Sequence, residues 1–355
     1  MMEAYGRGNY VELRPLTHLR SRPLIPFEKT RQMTTGRTFM QRLNWFLHAA
    51  AIAMASLANW AIPAGAQDFP SKPITIVSPF GPGTTNDIIA RQLAQDMIGT
   101  LGQSVIVEDR AGATGNIATS LVAKSKPDGH TLLIASMSGI LNQVTGNANA
   151  DLIGDFVPVA FCGKLVYSMF VPNEFPAQTV AELVEQARRQ PGKLNYAGYV
   201  GGVPQFLGEM LNRSAGINTV MVAYKSTPDA LTDLLTNRIQ IWFTPVASGI
   251  PVKNQKQARM IAVTGDTRAR MLPDVPTFKE AGYPDLTVEV AFYLLVAKGT
   301  PRPIVDKLYA AVDKALQKPA IRDALLAQGV EDKRGGPDEV SAYLAGEFKR
   351  WGEIV

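Results

Sequence analysis

The sequence predicts an α/β protein of two lobes, each built on a mostly parallel, doubly wound sheet, with a ligand cleft between them. Three observations carry this. Short apolar, β-branched runs alternate with segments of helical period, twice over along the chain. Each half contains a strand that enters a glycine-rich turn and then a helix N-terminus, at residues 74–91 and 194–211. Two longer apolar stretches, near 160–172 and 288–297, read as extended connections between the halves. The expected partition is residues 67–165 with 292–355 in one lobe and 166–291 in the other.

The start of the chain stands outside that pattern. Residues 1–32 are rich in Pro, Arg and Gly and show no period. They read as a disordered extension or as a start codon assigned too early. From Met33 come Arg37 and Arg42, an apolar run over residues 43–62, and Ala64-Gly65-Ala66 before Gln67. A basic n-region, an apolar h-region and a small-x-small site describe a cleaved secretory signal, so the mature chain is expected in the periplasm. Asn44, His48, Ser56 and Asn59 interrupt the run, which disfavours a stable membrane span. An uncleaved N-terminal anchor is the alternative.

The formal net charge of +5 belongs to that leader. Of 36 Lys/Arg and 31 Asp/Glu, residues 1–66 hold eight and three, which leaves 28 of each. A neutral remainder removes the support for nucleic acid as a partner, because phosphate attraction needs clustered positive charge. Cys162 is the only cysteine, so no intrachain disulfide forms, and its apolar setting reads as core. His130 is the only histidine after residue 66 and reads as a surface-end residue in a turn. One His and one Cys exclude the common zinc sites. No Gly-x-Ser-x-Gly elbow is present for a Ser-His-Asp triad. The residues call for no cofactor, no metal and no enzyme.

The elements follow in order. Ile74-Thr75-Ile76-Val77 is a strand by alternation and β-branching. Gly81, Pro82 and Gly83 make the turn after it. Thr84, Thr85 or Asn86 caps the next helix, and Asp87 suits its first turn. Such a helix end suits an anion, though an ordinary β–α turn has the same pattern. The segment is neither a P-loop nor a dinucleotide fingerprint, since Asn86 stands where a third glycine belongs. Val105-Ile106-Val107-Glu108 is a second strand, and residues 110–116 are a second glycine-rich turn. Thr131-Leu132-Leu133-Ile134-Ala135 is a third strand, apolar throughout as a buried parallel strand is. It ends in the small polar loop Ser136-Met137-Ser138-Gly139. This βαβαβ order puts all three loops at the carboxyl edge of a parallel sheet, where ligands bind. The alternation restarts with a helix from Val180, a strand at 194–197, the loop 198–205, and strands near 220–224, 239–243 and 260–263. The tail after residue 300 is helical.

Several short motifs sit in a characteristic order: Phe69-Pro70-Ser71-Lys72-Pro73-Ile74, Pro79-Phe80 with Pro82-Gly83 and Asp87, Asn116, Pro127-Asp128-Gly129, and Pro191-Gly192-Lys193-Leu194-Asn195-Tyr196. Tyr224-Lys225 and Leu272-Pro273-Asp274-Val275-Pro276-Thr277 follow. Over residues 69–355 the chain thus resembles the Bug receptors, the periplasmic solute-binding receptors of tripartite tricarboxylate transporters. The resemblance implies a periplasmic binding protein fold, type II-like, that closes on a small ligand, commonly a carboxylate. It implies a monomer that delivers the ligand to membrane permease subunits. A sensor that signals to a membrane histidine kinase would need the same closing cleft. A hydrolase or isomerase on the same scaffold is a third, weaker reading.

The resemblance places the ligand against residues 80–87 and 198–205. With the other strand-end loops, the expected ligand set is Phe80, Gly83, Thr84, Thr85, Asp87, Ser136, Ser138, Tyr199, Gly201, Gly202, Gln205 and Thr244. Asp87 braces the loop or meets the ligand, and Phe80 lines the cleft or the core. Tyr199, an aromatic in a glycine loop, reads as a cleft contact. Arg110 reads as a solvated turn residue. The chain departs from the family in three places. Gly83-Thr84 replaces a glycine pair, Val203-Pro204-Gln205 replaces a stretch ending in Ser-His or Thr-His, and Thr244-Pro245 stands where Asp is frequent.

Overall fold

The computed structural model describes residues 69–354. The export signal expected over residues 33–66, and the extension before it, lie outside the described residues.

The first three strands fall on the apolar runs: β1 at Ile74–Ser78, β2 at Val105–Asp109 and β3 at Thr131–Ala135. They pair in parallel in the order β2-β1-β3, the arrangement that βαβ wiring gives. Helix α1, Thr85–Leu101, follows β1. Its Ile89, Leu93 and Met97 recur every four residues and are fully buried, which is what packs it. Gly102 ends it at φ 72°, a left-handed cap that glycine adopts without strain. Helix α2, Asn116–Ala123, follows β2, and α3, Met137–Val144, follows β3.

Strand β4, Phe156–Pro172, organises the rest. From Phe156 to Val166 it pairs antiparallel with β9, Glu289–Ala297. From Tyr167 onward it pairs with β7, Ile241–Pro245, and β8, Ala258–Val263. Strand β7 carries β5, Asn195–Gly198, and β5 carries β6, Val220–Ala223, all in parallel. Helices α4 (Val180–Arg189), α5 (Val203–Ala215), α6 (Thr227–Leu235) and α7 (Val246–Asn254) connect these strands. Alternate residues of β4 enter different cores. Met169 and Val171 join the large cluster that runs through the molecule, while Phe170 joins a smaller one with Trp242. Both faces of this half are therefore covered. Helices α8 (Arg302–Leu316), α9 (Pro319–Ala327) and α10 (Pro337–Ile354) close the chain, and α8 and α10 pack on β4.

The ladder changes between Val166 and Tyr167. Strand β9 pairs with β4 from Glu289 to Ala297 and with β3 from Tyr293 to Val296, so the return from the second half falls at the start of the 288–297 run. The second passage is made at Thr264 and Val288. Thr264 is fully buried; its N–H donates to Tyr167 O, and its carbonyl accepts from Val288 N–H. Its Oγ1 accepts from Tyr167 N–H at 3.0 Å and donates to Val288 O at 2.6 Å. One threonine so satisfies backbone groups that the end of a ladder leaves unpaired.

Strand direction decides what faces what. Strand β3 is antiparallel to β9, and β9 to β4, so β1, β2 and β3 run with β4. Strands β7, β5 and β6 run against β4. Because β4 passes from the first ladder to the second, the carboxyl ends of both parallel sets point at the crossover at Val166–Tyr167. Each glycine loop therefore opens toward the other half.

Candidate functional site

In the first loop Gly83 sits at φ 80°, a conformation that side-chain-bearing residues avoid. It aims the Gly83 N–H at Asp87, donating to Oδ2 at 2.9 Å. Asp87 is 3 % exposed, and its Oδ1 pairs with Arg91 Nε at 2.6 Å. Arg91 also reaches Asp109 Oδ2 at 3.0 Å. Asp87 braces the loop, and its charge is matched inside the same half. Thr84 occupies the cap position without capping, since its Oγ1 donates to Gly81 O at 2.8 Å. The N–H groups of Thr85, Asn86 and Asp87 thus open α1 with no side-chain cap. The buried Asn86 side chain ties α1 to β3 by donating to Ile134 O. Phe80 is half-buried against the second glycine turn: a Cβ on Gly115 would lie 3.1 Å from Pro79 and 3.8 Å from the Phe80 ring.

The second loop repeats the device. Gly201 at φ 74° donates its N–H to Gln205 Oε1 at 3.0 Å. Gly202 N–H donates to Tyr199 O, and Gln205 N–H to Gly202 O. Pro204 in the first turn of α5 has no N–H. Gly202 has an ordinary φ of −94°, and a Cβ there would lie 3.1 Å from the Tyr199 Cβ and carbonyl oxygen. Its small size serves the packing of its own loop. Tyr199 is half-buried, with its hydroxyl 3.4 Å from Thr227 Oγ1. It lies beside Tyr167 at the crossover, whose phenol is pushed up by burial and then by Tyr199.

Three residues sit differently from expectation. Ser136 and Ser138 belong to a helix start rather than a loop, with Ser136 at the cap of α3 and its Oγ 3.4 Å from Ser138 Oγ. Buried Met137, Ile140 and Leu141 supply the apolar face that makes this short segment helical. Tyr293 donates its hydroxyl to Ser136 O at 3.2 Å. Thr244 lies inside β7, opposite Ser168, and is 2 % exposed. The β-branched residue continues the strand, and Pro245 ends it. Outside the loops, His130 is buried rather than at the surface as expected, because Nε2 accepts the Ser71 N–H and Nδ1 lies 3.2 Å from Asp128 Oδ1. Burial pushes the Cys162 thiol up, as suits a core cysteine. Arg110 is paired with Glu108.

A cavity of about 550 Å³ joins the halves. Thr114, Asn116, Asn142 and Asn149 line it from one side and Gly201, Gln205 and Phe206 from the other. Of the expected set it gathers Gly201 and Gln205; Phe80, Gly83, Thr84, Thr85, Asp87, Ser136, Ser138, Tyr199, Gly202 and Thr244 do not line it. The asparagines were not among the expected ligand residues. Asn116 Nδ2 donates to Asn147 O at 2.7 Å and Asn142 Nδ2 to Thr114 O at 2.9 Å, folding residues 145–149 against 113–116. The signal in the sequence is three asparagines within eight residues, at 142, 147 and 149, directly after an apolar helical stripe. Among the described residues, no group of three or more His, Cys, Asp or Glu gathers to hold a metal, and no helix is long and apolar enough to cross a membrane.

Known proteins share this fold. Residues 89–355 match the family described as the tripartite tricarboxylate transporter family receptor. BugT of Bordetella pertussis is 30% identical over 302 residues, covering 84% of this chain and 93% of that protein. The structure of MatC from Rhodopseudomonas palustris with bound malate is 29% identical, with a TM-score of 0.69 over 81% of this chain and 99% of that one. That of Rpa4515 from R. palustris with adipate is 30% identical, with a TM-score of 0.70 over 81% of this chain and 97% of that one. The chain belongs to the Bug-type receptor family of tripartite tricarboxylate transporters.

Proposed function

We propose that the protein is an extracytoplasmic receptor that captures a small carboxylate-bearing molecule and delivers it to the membrane subunits of a tripartite tricarboxylate-type transporter. Residues 67–165 with 292–355 form one lobe, residues 166–291 the other, and the leader directs export to the periplasm. The observation that carries this reading is the opposition of two sets of strand carboxyl ends, each with a glycine loop and a helix N-terminus, across one crossover. The malate and adipate held by two relatives support a carboxylate as the ligand. The uncapped start of α1 supplies the anion pole. Each hydrogen bond from its N–H groups to a carboxylate contributes about 1.5–3 kcal/mol, and the helix dipole adds about 0.3–1 kcal/mol. Three such bonds and the dipole give about 5–10 kcal/mol before the cost of binding is subtracted, so micromolar affinity, about −8 kcal/mol, requires contacts from the second half as well.

The test is a thermal-shift and scattering screen of mono-, di- and tricarboxylates. A ligand at about a hundredfold excess over its Kd adds about 2.7 kcal/mol to stability. At least one carboxylate is expected to raise the Tm and to shrink the radius of gyration as the lobes close. No response to any carboxylate would remove this reading.

A further inference from the structure

We propose that the ligand carries one carboxylate and a neutral far end that accepts a hydrogen bond, and that Gln205 reads that end. The inference rests on the carboxylate-receptor reading above and narrows its ligand class.

The two loops do not offer the same thing to an anion. The helix that opens the first half begins with the N–H groups of Thr85, Asn86 and Asp87 and no side-chain cap. In the second half most of the equivalent groups are committed, and only the Val203 N–H is without a partner among the described residues. Gly201 N–H is bonded to Gln205 Oε1, Gly202 N–H to Tyr199 O, and Gln205 N–H to Gly202 O. Pro204 has none. The cavity beside this loop is lined by no Lys, Arg, His, Asp or Glu. A second carboxylate placed there would leave water for a wall of amides, hydroxyls and apolar groups, with no cation and few donors.

A neutral acceptor fits the same wall. Gly201 N–H is a donor, so the Gln205 atom that faces it is the carbonyl oxygen, and the amide nitrogen is the other. That Nε2 makes no hydrogen bond within the described residues, and Gln205 lines the cavity. Its two hydrogens are therefore available to a carbonyl of the ligand. Phe206 and Val200 beside it give the rest of the ligand an apolar surface. A ketone, ester or amide far end meets both.

Calorimetric titration of the full protein against matched pairs decides it: succinate with its monomethyl ester, adipate with its monomethyl ester, and the two dimethyl esters. In at least one pair the monoester is expected to bind about tenfold or more tightly than the diacid. The dimethyl esters, which lack the anion, are expected not to bind. Diacids that bind as tightly as the monoesters, or more so, overturn this inference and leave the carboxylate reading intact. Binding of the dimethyl esters with neither acid form removes the carboxylate reading and this inference together; binding of nothing in the series overturns this inference alone. Gln205→Glu keeps an acceptor for Gly201 and replaces the donor with a second oxygen. It is expected to weaken the bound monoester about tenfold; unchanged affinity removes Gln205 from its assigned role.

Discussion

At Gly83 the backbone turns at φ 80° and gives its N–H to Asp87; at Gly201 it turns at φ 74° and gives its N–H to Gln205. The two bonds are 2.9 and 3.0 Å long and span the same four residues. Each follows a strand and fixes the entry to a helix. The acceptors differ. Asp87 is almost fully buried and its second oxygen is taken by Arg91. Gln205 is half-buried, and its second group faces a cavity. Backbone geometry is what the halves share. What each presents to a ligand is set by one side chain, charged and internally matched in the first, neutral and open in the second.

Asp87→Ala is the largest way to break this comparison. It takes a charged acceptor from a buried N–H and a partner from Arg91, which keeps Asp109. Denaturant titration is expected to show a loss of about 1.5–3 kcal/mol in unfolding free energy. Gln205→Ala removes the corresponding acceptor at a position that water reaches, and is expected to cost only about 0.5–1.5 kcal/mol. The contrast survives only if the first loss exceeds the second. Equal losses would mean that the carboxylate adds nothing to the brace beyond an oxygen atom.

Much of this was legible in the sequence because it is local. The strand at residues 131–135 and the helix stripe Val180, Leu183, Val184 and Ala187 lie where period and β-branching put them. The brace by Asp87 follows from an acid in the first turn after a glycine. The misreadings arose where tertiary contacts decide. Ser136-Met137-Ser138-Gly139 has the composition of a loop, and it is helical because Ile140 and Leu141 bury against the sheet. Thr244 extends β7 because Ser168 of β4 lies opposite. The Thr264 hydroxyl that holds the return passage bridges Tyr167 and Val288, distant residues that no local pattern joins. The asparagine wall was missed for the same reason. Asn116 and Asn142 are far apart in the chain, and only the fold brings their loops to one cavity.

The smallest effect concerns a second repeated feature. The residue after β2, Arg110, donates its N–H to the last residue of β1, Ser78, at 2.8 Å. The residue after β6, Tyr224, donates its N–H to the last residue of β5, Gly198, at 2.9 Å. The position again carries different chemistry: an exposed guanidinium on Glu108 in the first half, and a phenol that donates to Asp233 Oδ2 at 2.7 Å in the second. Burial first, then the hydrogen bond to Asp233 and its charge, push the Tyr224 phenol from 10.0 up to about 12. A group whose pKa is raised by folding stabilises fully below its unfolded value and loses that contribution as pH rises through the folded one. The Tyr224 contribution is therefore complete below pH 10 and fades between pH 10 and about 12. Tyr167, Tyr196 and Tyr293 are raised as well, so the whole protein weakens in that range. The difference between wild type and Tyr224→Phe isolates the one phenol. Their gap in denaturant midpoint should hold steady up to pH 10 and close above it. A gap that stays constant to pH 12 would show that the second strand end is held by its backbone bond alone, as the first is at Arg110.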